Sequence, residues 1–348
     1  MDFYAIGLMS GTSLDGLDIC YARFTEQSGK WNFEILKSET LPYSEEWEHT
    51  LRNAFSFAAP ELLELHSGYG FYLGKKINEF IEKNAIQNPD VIASHGHTVF
   101  HRPEKKYTLQ IGDGRAIKLF TKIPVIYDFR MQDVLMGGNG APLVPIGDEH
   151  LFPEFDACLN LGGFSNISFR KDNRRIAFDI CPVNIILNEF ATKLGKKFDK
   201  NGSIAQNAKT DENLLQELNQ ISFYSQQPPK SLGTEWLNLH ILPLLIEKDP
   251  ASVLATFTKH IAIQISMVFK ENNFKKVLIT GGGTYNSYLI ELLERYSETE
   301  IIIPEKEIIE FKEALIFAFM GVLRICGKNN ILSSATGSFE DHSSGIIA

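Results

Sequence analysis

The sequence predicts an α/β protein built from two related halves. At 348 residues the chain is longer than one hydrophobic core usually organises. Short runs of β-branched and aromatic residues alternate with longer segments of helical periodicity. A strand–glycine turn–strand unit occurs twice, over Phe3–Phe24 and Ala157–Arg170, about 150 residues apart, which hints at duplication.

The elements follow in order. Phe3–Met9, Leu17–Phe24 and Trp31–Leu41 read as a meander of three strands. Apolar residues at Leu62, Leu65, Tyr69, Tyr72, Ile77 and Phe80 predict a helix over Ala58–Lys83. Asp90–Ser94 is a short buried strand that ends at a Ser94–Thr98 loop. Thr108–Ile111 and Pro124–Tyr127 are further strands, with a helix between them over Gly114–Phe120. The Gly/Pro-rich crossing Met136–Pro145 has the punctuation of a domain junction. Beyond it come strands Ala157–Leu161, Ile167–Arg170 and Arg175–Phe178, then a helix over Asn184–Leu194. A polar linker, Phe198–Thr210, and a proline-containing loop, Gln226–Gly233, precede a long helix at Pro250–Glu271. Strand Lys276–Thr280, helix Asn286–Arg295, strand Ile301–Ile303 and helix Lys312–Ile325 complete the pattern. The expected division is 1–134 plus about 331–348 for the first domain and 135–330 for the second.

Bulk properties narrow the partners. A net charge of −9 without a Lys/Arg cluster argues against nucleic acid or an anionic membrane surface. Cys20, Cys158, Cys181 and Cys326 are far apart and form no CxxC pair, the usage of a reducing compartment. No leader-like N-terminus is present, and no apolar run reads as long enough to span a bilayer. A soluble cytoplasmic protein is expected. Oligomeric state is not fixed by the sequence, and a homodimer is the assembly to consider.

The first glycine turn carries the most chemistry. Gly11, Thr12, Ser13, Leu14, Asp15, Gly16, Leu17 and Asp18 follow an apolar strand. Glycines let backbone N–H groups approach an anion, and the hydroxyls of Ser10, Thr12 and Ser13 add donors. A carboxylate at Asp15 suits a phosphate site only with a cation between them, and Mg2+ prefers such oxygen ligands. The turn is no Walker A loop, because it lacks Gly-Lys-Ser/Thr and leads into a strand. Its bland alternative is an ordinary hairpin, which needs only two turn residues. Gly162 and Gly163 would form a second phosphate clamp, and Gly281, Gly282 and Gly283, between strand and helix, suit the approach of a nucleotide. Together they point to ATP.

Other positions admit two readings each. Asp179 is either a helix N-cap or a general base. His95, His97 and His101 could ligate metal, with His95 and His97 on one side of an extended segment, or could face a polar substrate. Asp128 and Arg130 are either a surface ion pair or a grip on a carboxylate. Glu313 opens an apolar helix, where first-turn dipole complementation is the plain reading. Gln110, Gly112 and Asp113 could supply sugar contacts.

In order along the chain, these motifs closely resemble the anhydro-N-acetylmuramic acid kinases, a branch of the sugar kinase/Hsp70/actin superfamily. They are MSGTSLDGLD (Met9–Asp18), SHGHTVFHRP (Ser94–Pro103), LQIGDG (Leu109–Gly114), YDFRMQD (Tyr127–Asp133) and GGNGAPLVP (Gly137–Pro145). NLGGFSNI (Asn160–Ile167), PPKSLGTEW (Pro228–Trp236), TGGGTYN (Thr280–Asn286), KEALIFAF (Lys312–Phe319) and ATGSFEDHSSG (Ala335–Gly345) continue them. The chain departs from the family's DTGPGN at Asp179-Ile180-Cys181-Pro182-Val183-Asn184, from Gln at His97 and from Thr at Leu232.

The resemblance implies two ribonuclease H-like domains, with mixed sheets flanked by helices and an ATP cleft between them. It assigns Gly11–Asp18, Gly162, Gly163 and Gly281–Gly283 to ATP, with Asp15 near Mg2+ through water. It implies that Asp179 is the catalytic aspartate and that Glu313 assists. Ser94, His95, Gly96, His97, Thr98, Asp128, Arg130 and Asn184 would bind the sugar, with Arg130 on its lactyl carboxylate. The implied reaction opens 1,6-anhydro-N-acetylmuramic acid and phosphorylates O6 in cell-wall recycling. The rivals are a kinase of the same fold for another sugar, an ATPase that drives partner binding, and a metal hydrolase built on His95 and His97.

Overall fold

The computed structural model describes every residue except Thr12, Ser13 and Asp15. The chain divides into two compact units, one of Met1–Phe152 with Phe311–Ala348 and the other of Pro153–Glu310.

The sheet of the first unit contains β1 (Asp2–Ser10), β2 (Leu17–Gln27), β3 (Lys30–Leu41), β4 (Val91–Arg102), β5 (Tyr107–Ile111) and β6 (Val125–Tyr127). The sheet of the second contains β7 (Ala157–Leu161), β8 (Phe164–Lys171), β9 (Arg174–Pro182), β10 (Lys276–Thr280) and β11 (Glu300–Ile302). A short β12 (Ile346–Ile347) adds antiparallel to β6, and β5 hairpins onto β4. With those additions set aside, the sheets have one topology. The spatial order is β3-β2-β1-β4-β6 in the first and β9-β8-β7-β10-β11 in the second. In each, an antiparallel meander is followed by two strands parallel to its first strand. This is the ribonuclease H-like arrangement, present twice. The glycine turns therefore lie at equivalent places, after β1 and after β7.

Alternation of side chains sorts each sheet face. Ile6 and Leu8 of β1 join Tyr69, Leu73, Ile77 and Phe80 of the Ala59–Lys83 helix in one core. Gly7 faces the other way, toward the Lys306–Ile325 helix, where a Cβ would stand 1.9 Å from the Ala314 carbonyl oxygen. In the second unit Leu159, Leu161, Val277 and Ile279 pack with Phe257, Ile261, Ile265 and Phe269.

Four expectations change. The Lys306–Ile325 helix begins six residues earlier than predicted, so Glu313 stands two turns inside it and first-turn dipole complementation does not apply. The division of the chain also falls elsewhere than 134/135 and 330/331. Residues 145–151 lie against β3, with Phe152 edge-on to Phe33 at 5.3 Å, and 311–325 pack on the first sheet. The Glu45–Asn53 helix was not anticipated, although its signal is local: Ser44 caps it and Glu45, Glu46 and Glu48 fill its first turn. Finally, Pro250–Glu271 is long and apolar enough to cross a membrane by length and composition, contrary to the sequence reading. It is the central helix of the second core, and 72% of its most apolar window is buried there.

Candidate active site

In the first unit the candidate residues gather at the carboxyl ends of β1, β4 and β6, which are adjacent and parallel. Thr12, Ser13 and Asp15 lie outside the described residues. Around them, Leu14 donates its N–H to the Gly11 carbonyl at 3.3 Å, and Gly16 is pressed against the Leu41 carbonyl. Leu17 is paired with Ser10, while Thr40 donates its hydroxyl to Asp18 at 2.5 Å. The base of the turn is braced by aromatic hydroxyls. Tyr43 donates to Ser10 Oγ at 2.8 Å and meets the Tyr69 hydroxyl at 2.6 Å, and Ser10 Oγ lies 3.0 Å from His97 Nδ1.

Ser94–Thr98 is not a loop. It lies within β4, and an irregularity changes the β1–β4 register between Leu8 and Ser10. Gly96 adopts φ +74° there, and a Cβ on it would come within 2.5 Å of the Ile111 carbonyl oxygen. The extra residue inverts the alternation. The His95 ring packs on Phe317 at 4.8 Å, and the His97 ring meets Tyr69 at 6.5 Å, on the opposite face. The expectation that both imidazoles share one side is thus overturned, and His101 turns to Thr108. Among the described residues no group of three or more His, Cys, Asp or Glu side chains could hold a metal ion. Burial lowers the basicity of all three histidines, with His97 brought down to about 4.

Arg130 follows β6 and donates Nε to His95 Nε2 at 2.9 Å and Nη1 to the Gly140 carbonyl at 2.5 Å. Burial lowers its pKa to about 10, so the guanidinium stays charged at neutral pH. Glu313, solvent-accessible on its helix, interacts electrostatically with Arg130. Its dense protein surroundings raise its carboxyl pKa, and Arg130 then Lys312 oppose that. Asp128, at φ +55°, accepts one N–H from Met131 at 3.3 Å, and burial raises its pKa. It makes no pair with Arg130, so the simple ion-pair reading fails. Thr98 accepts from Gln110 at 3.3 Å, and Ser94 is fully buried beside Tyr127 in register. Sequence reading missed the support beneath these residues. Asp133 accepts from Gly140 N–H and from the Thr336 hydroxyl, each at 2.7 Å, and Ser344 donates to the Phe129 carbonyl. Thr336 and Ser344 lie some 200 residues from their partners and leave no local signal.

In the second unit, β7 and β10 are parallel neighbours, so their glycine turns meet at one edge. Gly281, at φ +85°, presses on Asn160 and Leu161, and a Cβ there would stand 2.4 Å from Asn160 Oδ1. Gly283 likewise abuts Leu161. By contrast, a Cβ on Gly163 or Gly282 would find no atom nearer than 3.9 Å, so the space over their α-carbons is open. Asn184 Nδ2 lies beside Gly282 and donates to the Leu161 carbonyl at 3.1 Å. These are the features of an anion-accepting edge.

Asp179 lies within β9, whose strand continues to Pro182, and Val183 precedes the Asn184–Lys193 helix. It is no helix cap. Its carboxylate accepts the Leu232 N–H at 2.8 Å, and its own N–H donates to the Lys230 carbonyl at 3.1 Å. Burial raises its proton affinity while the Leu232 bond opposes that rise. Elevated proton affinity is what a general base requires. The Pro228–Gly233 segment as a support for Asp179 was not foreseen, since 53 residues separate the partners.

Comparison with known proteins agrees with this geometry. The family model for anhydro-N-acetylmuramic acid kinase matches residues 3–348. A Zymomonas mobilis protein named anhydro-N-acetylmuramic acid kinase is 34% identical, covering 96% of this chain and 96% of its own. One of the same name from Mannheimia succiniciproducens is 32% identical over 100% and 99%. Among solved structures, component A of (R)-2-hydroxyglutaryl-CoA dehydratase from Acidaminococcus fermentans is similar at a TM-score of 0.48 and 12% identity. That alignment covers 93% of this chain and 99% of the other. The chain belongs to the anhydro-N-acetylmuramic acid kinase family, and it is a phosphotransferase of that family.

Proposed function

We propose that this protein uses ATP and water to convert 1,6-anhydro-N-acetylmuramic acid to N-acetylmuramate 6-phosphate and ADP, in the cytoplasmic recycling of cell-wall sugar. Asp179 takes a proton from water, whose oxygen bonds to the anomeric carbon as the bond from that carbon to O6 breaks. The freed O6 then takes the γ-phosphoryl group, and ADP leaves. Alignment and charge stabilisation supply most of the catalysis in such a transfer. The observation that carries the reading is Asp179, held by one backbone donor in a chain that matches the family end to end.

The remaining roles follow the same reading. The turn Gly11–Asp18, the open α-carbon faces of Gly163 and Gly282, and their neighbours Gly162, Gly281 and Gly283 take ATP. Mg2+ arrives with the phosphates, and Asp15 contacts it through water. The oxygen chemistry of that turn suits a hard cation. Arg130 holds the lactyl carboxylate, with Ser94–Thr98 and Asp128 along the sugar, and Glu313 supports Arg130's charge. Asn184, whose Nδ2 donates to the Leu161 carbonyl, joins them in binding the sugar.

The test is a product assay with 1,6-anhydro-N-acetylmuramic acid, ATP and Mg2+. One ADP per ring-opened, phosphorylated sugar is expected, and ATP turnover unaffected by the sugar would overturn the reading. Asp179→Asn should abolish both bridge opening and phosphorylation while ATP still binds. Sugar phosphorylation by that variant would refute the base assignment.

A further inference from the structure

The Pro228–Gly233 segment has no assigned role, yet it crosses Asp179 as a short extra strand would. The Asp179 N–H donates to the Lys230 carbonyl, and two residues on the Leu232 N–H returns to the Asp179 carboxylate. Among the described residues only Oδ2 is engaged in this way, which leaves Oδ1 to a reactant.

What fixes the segment is the other end of Lys230. Its ammonium donates to the carbonyls of Phe223 at 3.2 Å and Tyr224 at 3.3 Å. It also lies over the rings of Phe223, at 4.9 Å, and Phe178, at 5.6 Å, the latter adjacent to Asp179 in β9. Those carbonyls are themselves anchored. Phe223 is buried and packs against Trp236 at 5.0 Å, and Tyr224 packs edge-on to His260 at 4.9 Å. A half-buried lysine with two carbonyl acceptors and two aromatic faces is a strut rather than a solvated surface charge. Burial lowers its pKa, as expected for an ammonium drawn out of water, with Glu271 opposing.

We infer that Lys230 is a positioning residue for Asp179: its ammonium pins the 228–233 segment so that the Leu232 N–H holds one carboxylate oxygen and presents the other to water. The inference rests on the reading of Asp179 as the general base. Lys230 itself touches no substrate. It acts by fixing the orientation and proton affinity of a group one backbone step away.

Lys230→Met keeps the aliphatic stem between the rings and removes the donors, whereas Lys230→Arg keeps the charge. In the folded Met variant, the Leu232 amide should exchange with solvent at least about tenfold faster, because the segment is no longer pinned. The kcat should fall about tenfold or more, with KM for ATP within about threefold, as for an interaction that matters at the reacting atoms. The acid limb of the kcat profile should move up by about half a pH unit or more as the Leu232 bond weakens. The Arg variant should recover most of the rate. If the Met variant does not fold, Lys230→Gln, which retains a neutral donor, is read by the same measures. An unchanged Leu232 exchange rate would overturn the inference. So would a loosened amide with unaltered kcat and pH profile, or equal losses in the Met and Arg variants in proportion to a lowered Tm. Product formation by Asp179→Asn would defeat the base reading alone, because the exchange behaviour of Leu232 does not depend on chemistry.

Discussion

Replacing Arg130 by Met separates its structural role from its role on the substrate. The guanidinium satisfies His95 Nε2 and the Gly140 carbonyl, and among the described residues no acceptor meets Nη2. Losing two donors leaves an imidazole nitrogen and a carbonyl unpaired, at about 1–3 kcal/mol for each that stays dry. The expected destabilisation is therefore about 2–6 kcal/mol, reduced to the extent that water reaches either acceptor. The substrate term is separate. A charge-assisted bond from Nη2 to a carboxylate is worth about 1.5–3 kcal/mol, or roughly 10- to 150-fold in kcat/KM. It exists only for a sugar that carries the lactyl group. The assay is kcat/KM for 1,6-anhydro-N-acetylmuramic acid and for 1,6-anhydro-N-acetylglucosamine, which lacks that group, at a temperature below the variant's measured Tm. The Met variant should lose most of the wild type's preference for the first sugar. An equal fall for both sugars, with the preference intact, would refute the carboxylate assignment and leave Arg130 as a brace for His95 and Gly140.

Three further outcomes are expected. His97 is buried with its pKa at about 4 against an ordinary 6.5, so its native form binds fewer protons than the unfolded chain between those values. Stability must fall as pH drops through that window, and His97→Gln should remove up to roughly 3 kcal/mol of the acid loss in denaturant titrations at pH 7 and pH 4. Gly281→Ala places a Cβ against Asn160 and Leu161 at φ +85°, so a loss of about 1–3 kcal/mol and weaker ATP binding are expected by melting and calorimetry. Asp133→Ala strips the acceptor from Gly140 N–H and the Thr336 hydroxyl in a fully buried place, so Tm should fall by an amount equivalent to about 2–4 kcal/mol. KM for the sugar should rise in that variant, because Gly140 also receives Arg130.

Much of this arrangement is legible in the chain because it is local. The meanders β1–β3 and β7–β9 announce themselves by apolar runs broken at glycines, and the helices by their periodicity. Gly281 is readable as a turn residue because its φ excludes a side chain at little cost only to glycine. What escaped was decided elsewhere in the fold. The start of the Lys306–Ile325 helix is hidden because Lys306, Glu307 and Glu310 look like a polar linker until the apolar face appears. Asp179 reads equally as a cap or a base until Leu232 is brought against it from 53 residues away. The histidines mislead for a different reason. Spacing of two means one face only on a regular strand, and the irregularity that breaks the rule is set by pairing with β1 rather than by the histidines.

That irregularity at Gly96 makes the residue count, as much as residue identity, a determinant of the site. Substitution scanning would report His95 and His97 as two separate contacts, one under Arg130 and one under Ser10. Deleting the single glycine would leave a regular strand in which His95 and His97, now adjacent, keep their opposite faces, whereas straightening the strand at constant length would turn His97 and the residues after it to the other face. This stretch of β4 should therefore tolerate loss of the glycine better than its replacement by a side chain that the φ of +74° excludes.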